Sequence, residues 1–166
     1  ILPKVKYIGK LAFGGKVPLR GDFEFASCAT VAEEALYGIM ATSIKLPACT
    51  KMEGSALRGC VSLTNVLINA STFIGQNHFY EDSALKTILF TNPEGVDAFP
   101  PNAFYKCNAL TDIWYYGTNA PSSVGVKAFN VSSPYPYVHI RDNKDLDGWR
   151  SLATRIADTT GTASSA

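Results

Sequence analysis

The hydrophobic residues of this chain recur on two nested periods. The longer one is marked by a small residue followed by a large apolar one: Ala12-Phe13, Ala35-Leu36, Ala56-Leu57, then Ala103-Phe104 and Ala128-Phe129, with His78-Phe79 as a variant in the middle. The second members, taken as anchors, are 23, 21, 22, 25 and 25 residues apart. Inside each interval runs a period of two. Nine and eleven residues after an anchor stand Val66 and Ile68, Ile88 and Phe90, Ile113 and Tyr115, and Val138 and Ile140. Each pair brackets one residue, the mark of a short strand with one buried face. Six residues after the anchor, Leu63, Leu85 and Leu110 supply a third inward side chain. The second interval is slightly short, with Ile44 and Leu46 at eight and ten, and the first is stretched, with Phe23 and Phe25 at ten and twelve. These shifts read as a deletion and an insertion in connecting loops. Upstream of two anchors, Ile8-Gly9 and Ile74-Gly75 occupy matching places, where glycine lets the backbone turn. Such a step predicts a solenoid in which each coil buries its inner side chains against its neighbours.

The repeated unit resembles the BspA-type, or Treponema pallidum-type, leucine-rich repeat. The resemblance rests on Leu2-Pro3, Ile8-Gly9 and Ala12-Phe13; on Leu46-Pro47, Ala56-Leu57, Cys60 and Leu63; and on Ala103-Phe104, Cys107 and Leu110. Departures are His78 in place of the small residue and Lys16, Ile39, Asp82 and Ser132 in place of Cys. It implies an α/β-type solenoid, a right-handed leucine-rich repeat coil with one short parallel strand per repeat and a C-terminal capping helix. The solenoid is assigned to residues 1–141, about six coils with the first incomplete, the cap to 142–158 and a flexible tail to 159–166. The cap is read from Leu146, Trp149, Leu152, Arg155 and Ile156, apolar residues at helical spacing that would close the last sheet edge. Ile1-Leu2-Pro3 looks like the end of a strand whose coil is missing, so the chain reads as part of a longer repeat protein.

Composition narrows the function classes. The chain has 166 residues, enough for one domain with a substantial core, and 15 Lys plus Arg against 14 Asp plus Glu. That near-neutral balance gives no electrostatic case for nucleic acid or an anionic membrane. Apolar stretches are only a few residues long, so direct membrane insertion is not expected. The four cysteines match no zinc spacing. Cys60 and Cys107 each stand three residues after an anchor and two coils apart, roughly 10 Å at the ~4.8 Å coil spacing of a parallel sheet, which suits separate core thiols rather than a bridge. Cys28 and Cys49 occupy equivalent places on adjacent coils, within bridging range, and are either a disulfide or stacked free thiols. His78 in an anchor slot reads as partly buried, and His139 between inward Val138 and Ile140 as outward. His78, Glu81 and Asp82 have ligand chemistry but read as a solvated loop. No metal and no cofactor is expected, since no phosphate loop, nucleophile elbow or paired-His spacing is present.

Function is expected on the outward residues. The residue between each inward pair gives the file Glu24, Lys45, Leu67, Leu89, Trp114 and His139. Flanking files give Asn65, Thr87 and Asp112 on one side and Tyr116 on the other. Leu67, Leu89 and Trp114 form an exposed apolar stripe with a polar rim, the composition of an interaction patch. Such a stripe is also what a covered face looks like, buried by another part of a longer chain or by a second copy, and a one-residue register error would turn it inward. The resemblance implies a non-catalytic module of a surface or secreted protein that holds a protein or glycan, a host matrix or surface protein among the candidates, on the sheet face. The alternatives are a structural spacer and a hydrolase using His78 or His139. Extracellular or cell-surface placement follows from the resemblance only, and self-association is allowed by the stripe.

Overall fold

A computed structural model describes residues 2–15, 17–129, 136–140 and 145–152. The period-two segments are strands: β2 (Arg20–Glu24), β4 (Met40–Leu46), β6 (Asn65–Ile68), β8 (Thr87–Phe90), β9 (Asp112–Tyr115) and β10 (Tyr137–Ile140). They stack as one six-stranded sheet, every neighbouring pair parallel, in the order β10-β9-β8-β6-β4-β2. The chain is therefore a parallel β-solenoid of about six turns with little helix. Ile44, Val66, Ile88, Ile113 and Val138 occupy one inward row in register, and Leu46, Ile68, Phe90, Tyr115 and Ile140 the next. The unequal first and second intervals meet inside a strand pair rather than in loops alone. Pairing of β2 with β4 shifts after Gly21, so that Thr42 is passed over and Asp22 faces Ser43.

A second sheet was not legible in the sequence. The two-residue strands β1 (Tyr7–Ile8), β3 (Thr30–Val31), β5 (Lys51–Met52) and β7 (Thr72–Phe73) form a four-stranded parallel ladder, continued by a bridge between Phe99 and Val124. The first four coils thus carry two strands each, not one. In this ladder Ile8, Val31, Met52 and Phe73 are the register partners, so Phe73 takes the place expected for Ile74, which is left 49% exposed. The fourth coil is one residue longer here, and the extra residue is turned outward.

Tight turns, not helices, close the coils. Two residues before every anchor the backbone is left-handed, at Leu11, Glu34, Ser55, Asn77, Asn102 and Lys127. Two residues after the anchor it is left-handed again, at Gly15, Gly38 and Gly59 and then at Glu81 and Lys106. The anchor peptides need no helix partner because they bond from coil to coil. The N–H of Phe13 donates to Ala35, of Leu36 to Ala56, of Leu57 to His78, of Phe79 to Ala103 and of Phe104 to Ala128, at 2.6–3.0 Å.

The anchors build the core. Phe79, Phe104 and Phe129 stack face to face at 5.2 Å, and Phe90 and Phe99 meet Phe104 edge-on. Toward the C-terminus the described part of the expected cap holds the helix α1 (Leu146–Ser151); residues 142–144 and 153–158, Arg155 and Ile156 among them, and the tail at 159–166 lie outside the described residues. Its Trp149 is fully buried, edge-on to Tyr115 at 4.8 Å, and Asp145 ties the helix start to the N–H groups of Ala120 and Gly148.

Candidate binding face

The strand register decides which side chains reach solvent. Lys45, Leu67, Leu89, Trp114 and His139 are successive partners across β4, β6, β8, β9 and β10, each between two buried residues. Leu67, Leu89, Trp114 and His139 are half-buried because each is flanked by its lateral neighbours. The expected stripe therefore faces outward. Asn65, Thr87, Asp112 and Tyr137 are likewise partners in the adjoining row, and Tyr116 is exposed just beyond β9. All the residues expected on this face are brought onto it.

The C-terminal half of the face is a built cluster. The His139 ring lies flat on the Trp114 indole, centroids 4.0 Å apart and planes within 12°. His139 Nε2–H donates to Asp112 Oδ1 at 2.7 Å, and Thr111 Oγ1 donates to Asp112 Oδ2 at 2.7 Å. Partial burial raises the Asp112 carboxyl, but the bonds from His139 and Thr111 outweigh it and hold the group below its usual range. One indole face is thus covered by imidazole, while Leu89 stands on the other side in register. His139 occupies one of the two stacking faces of Trp114. The N-terminal half is polar: Asp22 accepts from Thr42 Oγ1 and Ser43 Oγ at 2.7 and 2.8 Å, and with Phe23, Glu24, Ser43 and Lys45 it lines a cleft of about 170 Å³. A larger cleft of about 520 Å³ lies off the sheet face, between Glu33, Lys51 and Glu53 on one side and Ile74 to Asn77 on the other.

The histidines are not brought together. His78 is fully buried, not partly: its Nε2–H donates to the Ile74 carbonyl at 3.1 Å, its ring meets Phe73 edge-on, and burial lowers its pKa to about 4, keeping it neutral. Nor are His78, Glu81 and Asp82 a solvated loop. Asp82 is buried beside Cys60, whereas Glu81 lies outside, bonded to Lys106 and facing Arg58. Among the described residues no group of three or more His, Cys, Asp or Glu is arranged to hold a metal ion. The four cysteines are buried free thiols. Cys28 and Cys49, the pair at bridging range, donate their Sγ protons to the carbonyls of Thr30 and Lys51, both at 3.2 Å, and burial pushes Cys49 to about 12. Cys60 and Cys107 sit in separate coils and bond to different carbonyls.

A second surface file escaped the sequence reading. One residue after successive anchors, Tyr37, Arg58, Tyr80 and Tyr105 line up, with Arg58 over the rings of Tyr37 and Tyr80, Lys106 over Tyr80 and Lys127 over Tyr105, at 5.1–5.7 Å. The signal was present as an aromatic or cation in a fixed place, but its partners come from neighbouring coils and only stacking reveals them.

A family model of the BspA type leucine rich repeat region matches the chain in six copies, over residues 1–111 and 29–144. No curated protein and no solved structure matches the chain significantly. No helix among the described residues is long and apolar enough to cross a membrane.

Proposed function

The chain belongs to the BspA-type leucine-rich repeat family, and from that premise we propose that it is a non-catalytic binding module of a surface or secreted protein, with a protein ligand held on the six-stranded sheet face. The observation that carries this reading is the outward row Leu67, Leu89 and Trp114, apolar side chains in register on an open face that a self-contained coil has no need to make apolar. The stripe is shallow, and the clefts of about 170 and 520 Å³ have other linings, so the face suits an extended protein surface better than a small molecule. A glycan is the second ligand class: Asn65, Thr87 and Asp112 offer it polar groups, but the His139 ring already occupies one face of Trp114, a stacking surface a sugar ring would use. The family is typically non-catalytic. The Asp112–His139 pair has the geometry of a base and its orienting group, and its ring is committed to Trp114.

The test is direct binding. Purified extracellular-matrix proteins and a glycan array are presented to the chain, to Leu89→Asp and to Val61→Asp, the last altered at an exposed residue outside the sheets. Saturable binding lost in Leu89→Asp and kept in Val61→Asp supports the face as the site. Equal binding by both variants refutes it, and a spacer role follows if no ligand binds.

A further inference from the structure

Three residues after successive anchors, Ile39, Cys60, Asp82 and Cys107 form an interior ladder. Its thiols do one job. Cys60 Sγ donates to the carbonyl of Leu36 at 3.2 Å, and Cys107 Sγ to that of Phe79 at 2.9 Å. Leu36 and Phe79 are the anchors of the coils before, so each thiol ties its coil to the preceding one. Asp82 fills the same slot between these cysteines and is 0% exposed. Its Oδ1 accepts the Cys60 N–H at 2.7 Å, while Oδ2 is buried without a partner. By repeat equivalence the place that the thiols give to the Leu36 and Phe79 carbonyls belongs, for Asp82, to the carbonyl of Leu57, an acceptor that an ionised oxygen cannot bond; the N–H groups of Cys60 and Gly59 favour the charged carboxyl, but burial outweighs them. The titratable groups against Asp82 are the thiols of Cys60 and Cys107, both held protonated by burial, and no cation acts on it.

We propose that Asp82 is a neutral carboxylic acid whose Oδ2–H replaces the missing thiol by donating to the Leu57 carbonyl, and that loss of this proton to solvent at raised pH loosens the joint between the third and fourth coils. Burial pushes the Asp82 carboxyl well above its ordinary 3.8. Its contribution to stability is fully present below that unfolded-state value and is lost as pH rises to the folded-state value, about tenfold in the folding equilibrium constant per pH unit. His78 acts in the opposite sense between 6.5 and about 4, so the two partly cancel in the raw pH profile. The informative quantity is the difference from a variant that cannot ionise at residue 82.

Asp82→Asn keeps an acceptor for Cys60 and a donor for Leu57, and Asp82→Cys restores the neighbouring letter. The folding equilibrium constant of either variant, divided by that of the unaltered chain, is expected to grow about tenfold per pH unit above about pH 4 until Asp82 itself ionises. Above that point the amides of Leu57 and Gly59, which bond to the carbonyls of His78 and Tyr80, should exchange faster in the unaltered chain than in Asp82→Asn. Parallel stability profiles, or equal exchange, overturn the proposal. A carbon-13 titration of the Asp82 carboxyl in the unaltered chain decides the protonation state without any substitution: a protonated-acid shift at mildly acidic pH is expected, and an ionised shift there overturns it.

Discussion

The two ends of the six-stranded sheet have the same interior and different exteriors. At the N-terminal end, β2 and β4 place Asp22, Glu24, Ser43 and Lys45 outward over Ile44 and Leu46. Toward the C-terminus, β6 to β10 place Leu67, Leu89, Trp114 and His139 outward over equivalent aliphatic and aromatic residues. Stacking demands only the inward letters, because each coil is held by its neighbours through them. The outward letters are free of that demand. Where they become apolar and clustered, stacking does not account for them, and this is the basis for proposing function there.

Three substitutions sharpen the contrast. The largest effect belongs to the interior: Phe104→Ala removes a ring that touches Phe79, Phe90, Phe99 and Phe129 and should cost about 3–5 kcal/mol in denaturant unfolding. Acid gives an intermediate effect. The folded-state pKa of His78, about 4, lies below the unfolded 6.5, so its contribution is full above 6.5 and is lost as pH falls toward 4. The loss approaches about 3 kcal/mol, and His78→Leu should abolish that part of the pH dependence in a melting series. The smallest effect belongs to the face. Asp112→Asn should cost less than about 1 kcal/mol at neutral pH, because the pair with His139 is part-exposed and screened. That cost should vanish in acid, since a depressed carboxyl contributes above its unfolded 3.8 and loses its contribution as pH falls through the lower folded value. If Asp112→Asn cost as much as Phe104→Ala, the face would be part of the core and the contrast would fail.

The six-stranded sheet was legible because burial imposes a period of two on the same residues that stack. The short ladder of β1, β3, β5 and β7 was not, since two residues carry no period and their pairing comes from adjacent coils. The left-handed turns were half-legible: Gly15, Gly38 and Gly59 repeat two after the anchor, but Glu81 and Lys106 break the pattern while keeping the conformation. Those two accept a cost of roughly 1 kcal/mol each for a left-handed backbone and bond to one another at 2.8 Å. Asp82 stood out as a departure from Cys, yet its complete burial follows from three-dimensional stacking that spacing alone does not measure. The outward row was readable from the period of two, including His139 next to Trp114, whereas the flat stacking of the two rings was not, because spacing carries no side-chain orientation.

The outward register of the stripe is tested most directly by native-state thiol labelling of Leu89→Cys against Ile88→Cys. The four natural cysteines are buried, so a thiol introduced at the outward, half-buried residue 89 should react faster than that background. The account predicts rapid labelling at residue 89 and protection at residue 88, which is 0% exposed. Rapid labelling at 88 with protection at 89 would invert the register, send Leu67, Leu89 and Trp114 into the core, and contradict the binding face.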